Sequence, residues 1–336
     1  MTLTRNLALT AVLGALLALL PSLLREGFGQ ASVSYLSLAT NALRLAVLAL
    51  SWDILGRTGQ LSLAHAAFYG AGAYTVAIAL KVWGLSPWLA LPLAGLVGAL
   101  LALLLGSVTL RLRGIYFAIA TLAFTEVLRA VVQQLPTSVA GGAAGLNIAA
   151  LFRPAFVAGE MARWEVAFLR NQSYFWLYAA LLVLAVLASV LLGRARFRSA
   201  FTAIRTNEEV AAVMGVVAWR YKLLAFVLSS LLVGALGGLE GFRIGSVNPH
   251  ETFAVSTTIL ALVTPIFGGL YTTLGPILGA GVLASVEELL KRNFSQGYLI
   301  GYGVVLVLSV LFMPRGLVGL LRGLALRHAR RRGGRA

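Results

Sequence analysis

Few side chains in this 336-residue chain could do chemistry, so the ones that could are informative. Among its 11 carboxylates, Asp53, Glu126, Glu240, Glu287 and Glu288 fall inside or at the ends of long apolar runs. A carrier driven by protons or sodium buries such a group near mid-membrane, so these are the candidates for ion coupling. Several have basic neighbours that offer a plainer role. Glu126 and Arg129 are three apart on one helix face, Glu287 and Glu288 approach Lys291 and Arg292 at helical spacing, and Asp53 lies close to Arg57. Arg44 sits inside an apolar run and must find a carboxylate or water. His65, His250 and His328 are far apart and there is no cysteine, so no metal site, thiolate site or disulfide framework is expected. The three lysines, Lys81, Lys222 and Lys291, never follow a glycine. A phosphate-cradling loop ending in Gly-Lys-Ser/Thr is therefore absent, and the chain has no recognisable ATP site. No paired carboxylate or histidine motif in the apolar runs suggests an integral-membrane enzyme.

Glycine placement says more. Gly59, Gly70 and Gly72 flank or interrupt one apolar run; Gly268, Gly269, Gly275-Pro276, Gly279 and Gly281 do the same for a later pair. Helices broken in this way expose backbone groups, which a membrane tolerates where they line a cavity. The plainer reading is close helix packing through small residues. Taken together, the two clusters predict a translocation path along Gly59, His65, Gly70, Gly72, Gly268, Gly269 and Gly279.

These residues need a scaffold, and composition defines it. The chain is 60% hydrophobic and only 11% charged, with a mean hydropathy of +0.90. Soluble domains carry about 25% charged residues. That excludes a soluble enzyme, a disordered tail and a collagen-like fibre. The formal charge of +16 does not point to nucleic acid, because the basic residues sit mostly at the ends of apolar runs. The predicted fold is an all-α polytopic membrane protein of about ten transmembrane helices, some interrupted or re-entrant around the Gly-rich stretches. The runs are about 7–24, 34–55, 60–80, 87–110, 115–134, 174–193, 221–244, 253–270, 273–291 and 297–314. They form a single permease domain over 1–336, with a core at 7–314. The first run is read as a retained helix rather than a cleaved signal peptide, since no small-x-small cleavage site follows it. Leu48-Ala49-Leu50, Ile54 and Gly56 are faintly echoed by Leu260-Ala261-Leu262, Ile266 and Gly268; the abundance of Gly and Ala explains this equally well as an internal repeat does.

Positive charge sets the orientation. Arg111 and Arg113, the cluster from Arg194 to Lys222, and the basic tail at 315–336 all fall on one side if ten runs alternate, and that side is the cytoplasm. Both termini are then cytoplasmic and the long 135–173 loop, with Gly141, Gly142 and Gly145 and then Arg153, Glu160, Arg163, Glu165 and Arg170, lies outside. The inner 194–220 loop is no plain linker. Phe201, Ile204, Val210, Val213, Met214 and Val217 fall near one face at helical spacing, broken around Thr206 and Asn207. One or two short amphipathic helices are expected, resting on lipid headgroups or docking a cytoplasmic partner. A helix starting at Thr206 or Asn207 would place Glu208 and Glu209 at its positive dipole end.

Four stretches point to one family. They are GQLSLAHAAFYGAGAY from Gly59, RLRGIYFAIATLAFTEVLR from Arg111, AIRTNEEVAAVMG from Ala203 followed by RYKLLAF from Arg220, and Asn248-Pro249 followed by GGLYTTLGPILGAG from Gly268. Together, over about 34–315, they closely resemble the permease subunit of bacterial branched-chain amino-acid ABC importers, the high-affinity leucine, isoleucine and valine transport family. The resemblance implies an inner-membrane importer of hydrophobic amino acids. A second related permease pairs with this one, two cytoplasmic ATP-binding subunits dock inside and bind ATP and magnesium, and a periplasmic binding protein delivers the cargo. No cofactor belongs to this chain itself. Within the inner loop, Glu208, Glu209, Ala211, Ala212 and Gly215 resemble the short coupling motif of ABC permeases, so Thr206–Gly215 becomes the expected coupling segment. The family usually has Asn where Asp53 stands, an apolar residue at Pro265 and a small apolar residue at Glu240. Such changes point toward a different cargo, and related permeases move urea or short amides. A self-sufficient secondary carrier or channel is the competing class.

The orientation has a direct test, because any cysteine introduced into a cysteine-free chain is unique. A cysteine replacing Ser199 is expected to react with an impermeant thiol reagent only after the cells are opened. Labelling from outside intact cells contradicts the assignment.

Overall fold

The computed structural model describes residues 3–149, 163–294, 297–312 and 316–320. Arg153 and Glu160 of the long loop, and the basic tail apart from 316–320, lie outside the described residues. The described chain is almost wholly helical. Its long helices are α1 (Leu3–Phe28), α2 (Ser32–Gly56), α3 (His65–Lys81), α4 (Pro87–Thr109) and α5 (Ile115–Gln134), then, after the short α6 (Thr137–Ala140), α7 (Arg163–Leu192). The inner segment folds as α8 (Ala195–Thr206) and α9 (Glu208–Val213). α10 (Ala218–Ile244), the short α11 (Pro249–Thr252), α12 (Val255–Gly268), α13 (Leu274–Asn293) and α14 (Tyr298–Phe312) complete the bundle. A two-residue antiparallel pair, β1 (Leu146–Asn147) with β2 (Ser246–Val247), ties the 135–149 loop to the end of α10.

Local chemistry sets the helix ends. Pro87 begins α4, where the missing N–H costs nothing. Asn248 caps α11 by accepting from the His250 N–H, with Pro249 at the first helical position. Gly245, at φ +76°, ends α10 in the left-handed conformation. α7 starts at Arg163, well before the apolar run at 174, because its first turns bury Phe168 and Phe175 on one side while presenting polar groups on the other.

Six stretches are long and apolar enough to cross a membrane by length and composition: Thr10–Gly56, which spans α1 and α2, then Pro87–Thr109, Ile115–Gln134, Ala167–Leu192, Ala218–Ile244 and Pro249–Gly268. That is fewer than the ten predicted, and the reasons are physical. α3 has 17 residues and reaches only about 25 Å at 1.5 Å per residue. α14 has 15 residues, and α13 ends in Glu287, Glu288, Lys291 and Arg292. The outer faces are apolar, with Leu96, Leu100 and Leu104 on α4 and Ile115, Tyr116 and Ile119 on α5 exposed, as a polytopic membrane protein requires.

α2 is the axis of the bundle. Every residue from Leu45 to Gly56 is buried, and α7, α10, α12 and α13 pack around it. A helix apolar on all sides can only be stable in this central place. α10 in turn packs on α3 and α4.

The interruption expected at Gly70 and Gly72 lies elsewhere. α3 runs unbroken through both glycines, and the break is at 60–64, which is neither helix nor strand and buries Gln60, Ser62 and Ala64 while Leu61 is exposed. Its backbone groups are met by side chains from three helices. Trp52 Nε1 donates to the Ser62 carbonyl (3.0 Å), and Leu63 N–H donates to Thr121 Oγ1 (2.9 Å). Thr125 and Thr258 hydroxyls reach the Leu63 carbonyl (each 3.4 Å). Thr258 Oγ1 also accepts from the Ala66 N–H (2.9 Å). Without water, an unmet N–H or C=O in this place costs about 1–3 kcal/mol, so these hydroxyls are structural. Thr258→Val is therefore expected to destabilise the protein by about 1–3 kcal/mol, while Thr258→Ser stays near wild type. Thermal unfolding in detergent checks this, and equal melting of the valine variant and wild type contradicts it.

Candidate functional site

The 194–220 segment is two helices joined at Asn207. That residue is extended (φ −159°), and its side chain accepts from the Glu209 and Val210 N–H groups (2.9 and 3.2 Å). Thr206 closes α8 by donating to the Thr202 carbonyl (2.9 Å). Glu208 and Glu209 thus stand in the first turn of α9, at the positive end of its dipole.

The six apolar residues of this segment do not share one face. Phe201 and Ile204 are buried against the bundle, where Phe201 meets the Tyr221 ring. Val213 and Met214 are 89% and 78% exposed, and Val210 and Val217 are exposed as well. The turn at Asn207 rotates α9 so that its apolar side points away from the bundle. Ala211 is buried, Ala212 is exposed, and Gly215 turns the chain at φ +80° in open space. Between α8 and α9 runs a groove of about 710 Å³ lined by Arg198, Ser199, Thr202, Val210 and Met214 among others.

The two glutamates are unlike. Glu208 accepts from Lys222 Nζ at 2.6 Å, and Lys222 is almost fully buried. Breaking that pair strands a buried ammonium, at a cost on the order of 3 kcal/mol, so Glu208 fastens α9 to α10. Glu209 meets Arg113 at 3.1 Å with both groups exposed, so it can exchange Arg113 for another cation at little cost.

The glycines singled out in the sequence serve contact between backbones. A Cβ on Gly72 would run into the Gly234 carbonyl of α10, one on Gly237 into the Tyr69 carbonyl, and one on Gly70 into the Phe253 ring. A Cβ on Gly268 would strike the Gly275 carbonyl, and one on Gly279 the Thr264 carbonyl. Gly269, at φ +123°, starts the turn between α12 and α13. Gly59, at φ +83°, lies against Arg205 of α8. His65 opens α3, fully buried, with Nε2 3.1 Å from Ser229 Oγ and with no partner at Nδ1 among the described residues. The structure gathers Gly59 and His65 at the two ends of the non-helical segment, while Gly268, Gly269 and Gly279 hold a separate hairpin.

Polar residues within the helices form two networks. In the first, Asp53 bridges Arg57 (3.0 Å) and accepts from the Tyr271 N–H (2.6 Å). Arg57 also donates to the Ser189 carbonyl and hydroxyl (3.0 and 2.7 Å), and Ser189 Oγ meets Thr273 Oγ1 at 2.8 Å. In the second, towards the opposite end of the bundle, Glu240 takes Arg243 (2.6 Å) and the Tyr178 hydroxyl. Arg44 donates twice to Asn41 Oδ1 (3.1 and 2.9 Å), and Asn41 Nδ2 reaches Glu287 (3.3 Å). Arg44 thus hydrogen-bonds a neutral amide one helical turn away, with the Glu240 and Glu287 carboxylates as its counter-charges, beside a polar cavity of about 230 Å³. The expected pairs Glu126–Arg129 (2.5 Å), Glu287–Lys291 (2.6 Å) and Glu288–Arg292 (2.8 Å) are formed. Among the described residues no three His, Asp or Glu side chains are grouped to hold a metal ion.

Asp53 and Glu240, two of the three departures from the family pattern, are spent on contacts inside the chain. Pro265 lies inside α12, where its carbonyl still accepts from the Gly269 N–H (2.8 Å). Neither the Tyr271 contact nor the Leu63 caps are visible in local sequence patterns, because both join residues far apart in the chain.

An almost wholly helical bundle with an apolar exterior and paired internal charges is a polytopic membrane protein. Residues 34–313 match the family described as branched-chain amino acid transport system, permease component, and the chain belongs to that family. It is 34% identical over 286 residues to the high-affinity branched-chain amino acid transport system permease protein LivM of Salmonella typhimurium, covering 80% of this chain and 66% of that protein. The LivM protein of Escherichia coli is 32% identical over the same shares. The LivH permease protein of Escherichia coli is 24% identical over 275 residues, covering 79% of this chain and 88% of that protein. The matched part is thus slightly under two thirds of the LivM proteins' length. These relatives are permease components of transport systems, not enzymes. No solved structure matches the chain.

Proposed function

We propose that the chain is the membrane-spanning subunit of an ATP-binding-cassette importer that moves branched-chain amino acids across the bacterial inner membrane. The observation that carries this reading is α9. It is fastened to the bundle through Ala211 and the Glu208–Lys222 pair, yet it turns Val210, Val213 and Met214 outward. A chain with no phosphate-binding loop needs energy from outside, and a short helix with an exposed apolar side is a fitting seat for a separate ATP-binding subunit.

In this reading ten spans place both termini and the 194–220 segment in the cytoplasm. Two ATP-binding subunits, which hold ATP and magnesium, dock on Thr206–Gly215 of this chain and on the matching segment of a second permease. The similarity to both LivM and LivH, two permease proteins of one organism, supports a related partner and hence a heterodimer. A periplasmic binding protein supplies the cargo. The path runs beside the 60–64 segment, with Gly59 and His65 at its ends, while Gly70, Gly72, Gly268, Gly269 and Gly279 keep the surrounding helices in contact. Asp53 and Glu240 are engaged within the chain, so they give no reason to prefer urea or short amides as cargo. The paired internal charges likewise leave a self-sufficient carrier without an evident coupling group.

Ala212 is exposed, so Ala212→Arg should leave insertion and folding intact. A charge at the centre of the docking surface should weaken retention of the ATP-binding subunits by about 2 kcal/mol, roughly thirty-fold. Co-purification of the subunits and leucine uptake into proteoliposomes read this directly. Wild-type retention and uptake with Ala212→Arg would show that α9 rests on the membrane instead.

A further inference from the structure

We propose that Arg205 and Tyr271 form the relay that carries motion of the α8–α9 segment into the α12–α13 turn, with Asp53 as the anchor that resets it. The proposal rests on the coupling reading above and specifies where the motion goes next.

Arg205 is the last residue but one of α8, two before the Asn207 turn. Its guanidinium carbon lies 3.9 Å from the centre of the Tyr271 ring, within cation–π range. Its backbone is pressed on Gly59, where an added Cβ would come within 3.3 Å of the Arg205 Cα. The end of α8 therefore sits between the turn that follows α2 and the turn that joins α12 to α13. Displacing it must disturb one or both.

Tyr271 is built to respond. Among the described residues it is the one non-glycine residue with positive φ, at +63°. A bulky side chain in that region is strained and persists only when its surroundings hold it. Two things hold it here: Arg205 over its ring, and Asp53 accepting its N–H. Asp53 is itself fixed by Arg57, and the Arg57–Ser189–Thr273 chain grips the same turn two residues on. The turn is thus clamped from α2 and α7 and touched by α8. Relief of the Tyr271 strain supplies the second arrangement that a transmitted switch requires.

What moves with the turn is also defined. Gly268, Gly275 and Gly279 place the backbones of α12 and α13 in direct contact, so the two helices shift together. α12 carries Thr258, which holds the Leu63 carbonyl and the Ala66 N–H of the non-helical segment. The route runs from α9 through Arg205 and Tyr271 to α12, and from there to the segment that ends at His65.

The test removes the ring, together with the strain of its backbone, and the cation in turn. Glycine adopts positive φ without cost, so Tyr271→Gly keeps the turn and removes the ring. Arg205→Gln removes the cation, and Tyr271→Phe keeps the aromatic face. Full complexes carrying each variant are compared in proteoliposomes for ATP hydrolysed and leucine taken up. Tyr271→Gly and Arg205→Gln are expected to retain their ATP-binding subunits and ATP hydrolysis while uptake per ATP falls about ten-fold, and Tyr271→Phe is expected to match wild type. Hydrogen exchange of the 269–275 amides, read on the same variants without any transport, should quicken in Arg205→Gln. Wild-type uptake per ATP in Tyr271→Gly, or parallel loss of hydrolysis and uptake, overturns the relay. A wild-type complex that hydrolyses ATP without taking up leucine overturns the coupling reading itself, whatever the exchange data show.

Discussion

Backbone groups removed from water must find partners, and the non-helical stretch at 60–64 is where this protein meets that demand most severely. Helices satisfy themselves, but Ser62 and Leu63 cannot, so Trp52, Thr121, Thr125 and Thr258 supply the missing donors and acceptors. Those four residues come from α2, α5 and α12. A single irregular segment therefore fixes the mutual placement of three helices. It also accounts for the short α3: the 60–64 stretch before it is not helical, so the helix begins only at His65.

Charge is managed by the same logic. Asp53, Glu126, Glu240, Glu287 and Glu288 each pair with an arginine or lysine within about one turn, and Asp53 and Glu240 take additional N–H or O–H donors. Buried ion pairs add little net stability, but stripping one partner is costly, so such pairs fix geometry more than they add strength. Lys222 and Glu208 apply this at the edge of the bundle. They hold one side of α9 rigid while the other side remains open. A helix that is rigid towards its own core and apolar towards the outside is suited to passing a displacement inward.

Much of this was legible in the sequence. Hydropathy located the long helices, and i,i+3 and i,i+4 spacing identified the Glu126–Arg129, Glu287–Lys291 and Glu288–Arg292 pairs, because both signals are local. The Asn207 break and the acidic first turn of α9 followed from capping chemistry. The glycines were harder. Gly70 and Gly72 are as consistent with a broken helix as with a close crossing, and only the positions of Gly234 on α10 and of the Phe253 ring decide for the crossing. The break at 60–64 was hidden because Leu61 and Leu63 continue an apolar run that reads as helix. The rotation of α9 away from α8 was also missed: periodicity carried across the Asn207 turn merged two faces that the extended residue separates. The carboxylates that balance Arg44, Glu240 and Glu287, lie on α10 and α13, so no local spacing points to them.

The central claim is that α9 presents its exposed apolar side to an ATP-binding subunit. A photo-crosslinking amino acid at Val213, in the assembled complex in native membranes, tests it most directly, with the same probe at Ile204 on the buried side of α8 as the comparison. The account predicts a cross-linked product of this chain with the ATP-binding subunit from position 213 and none from position 204. Cross-linking from Val213 to lipid alone, with the complex otherwise intact, would contradict it.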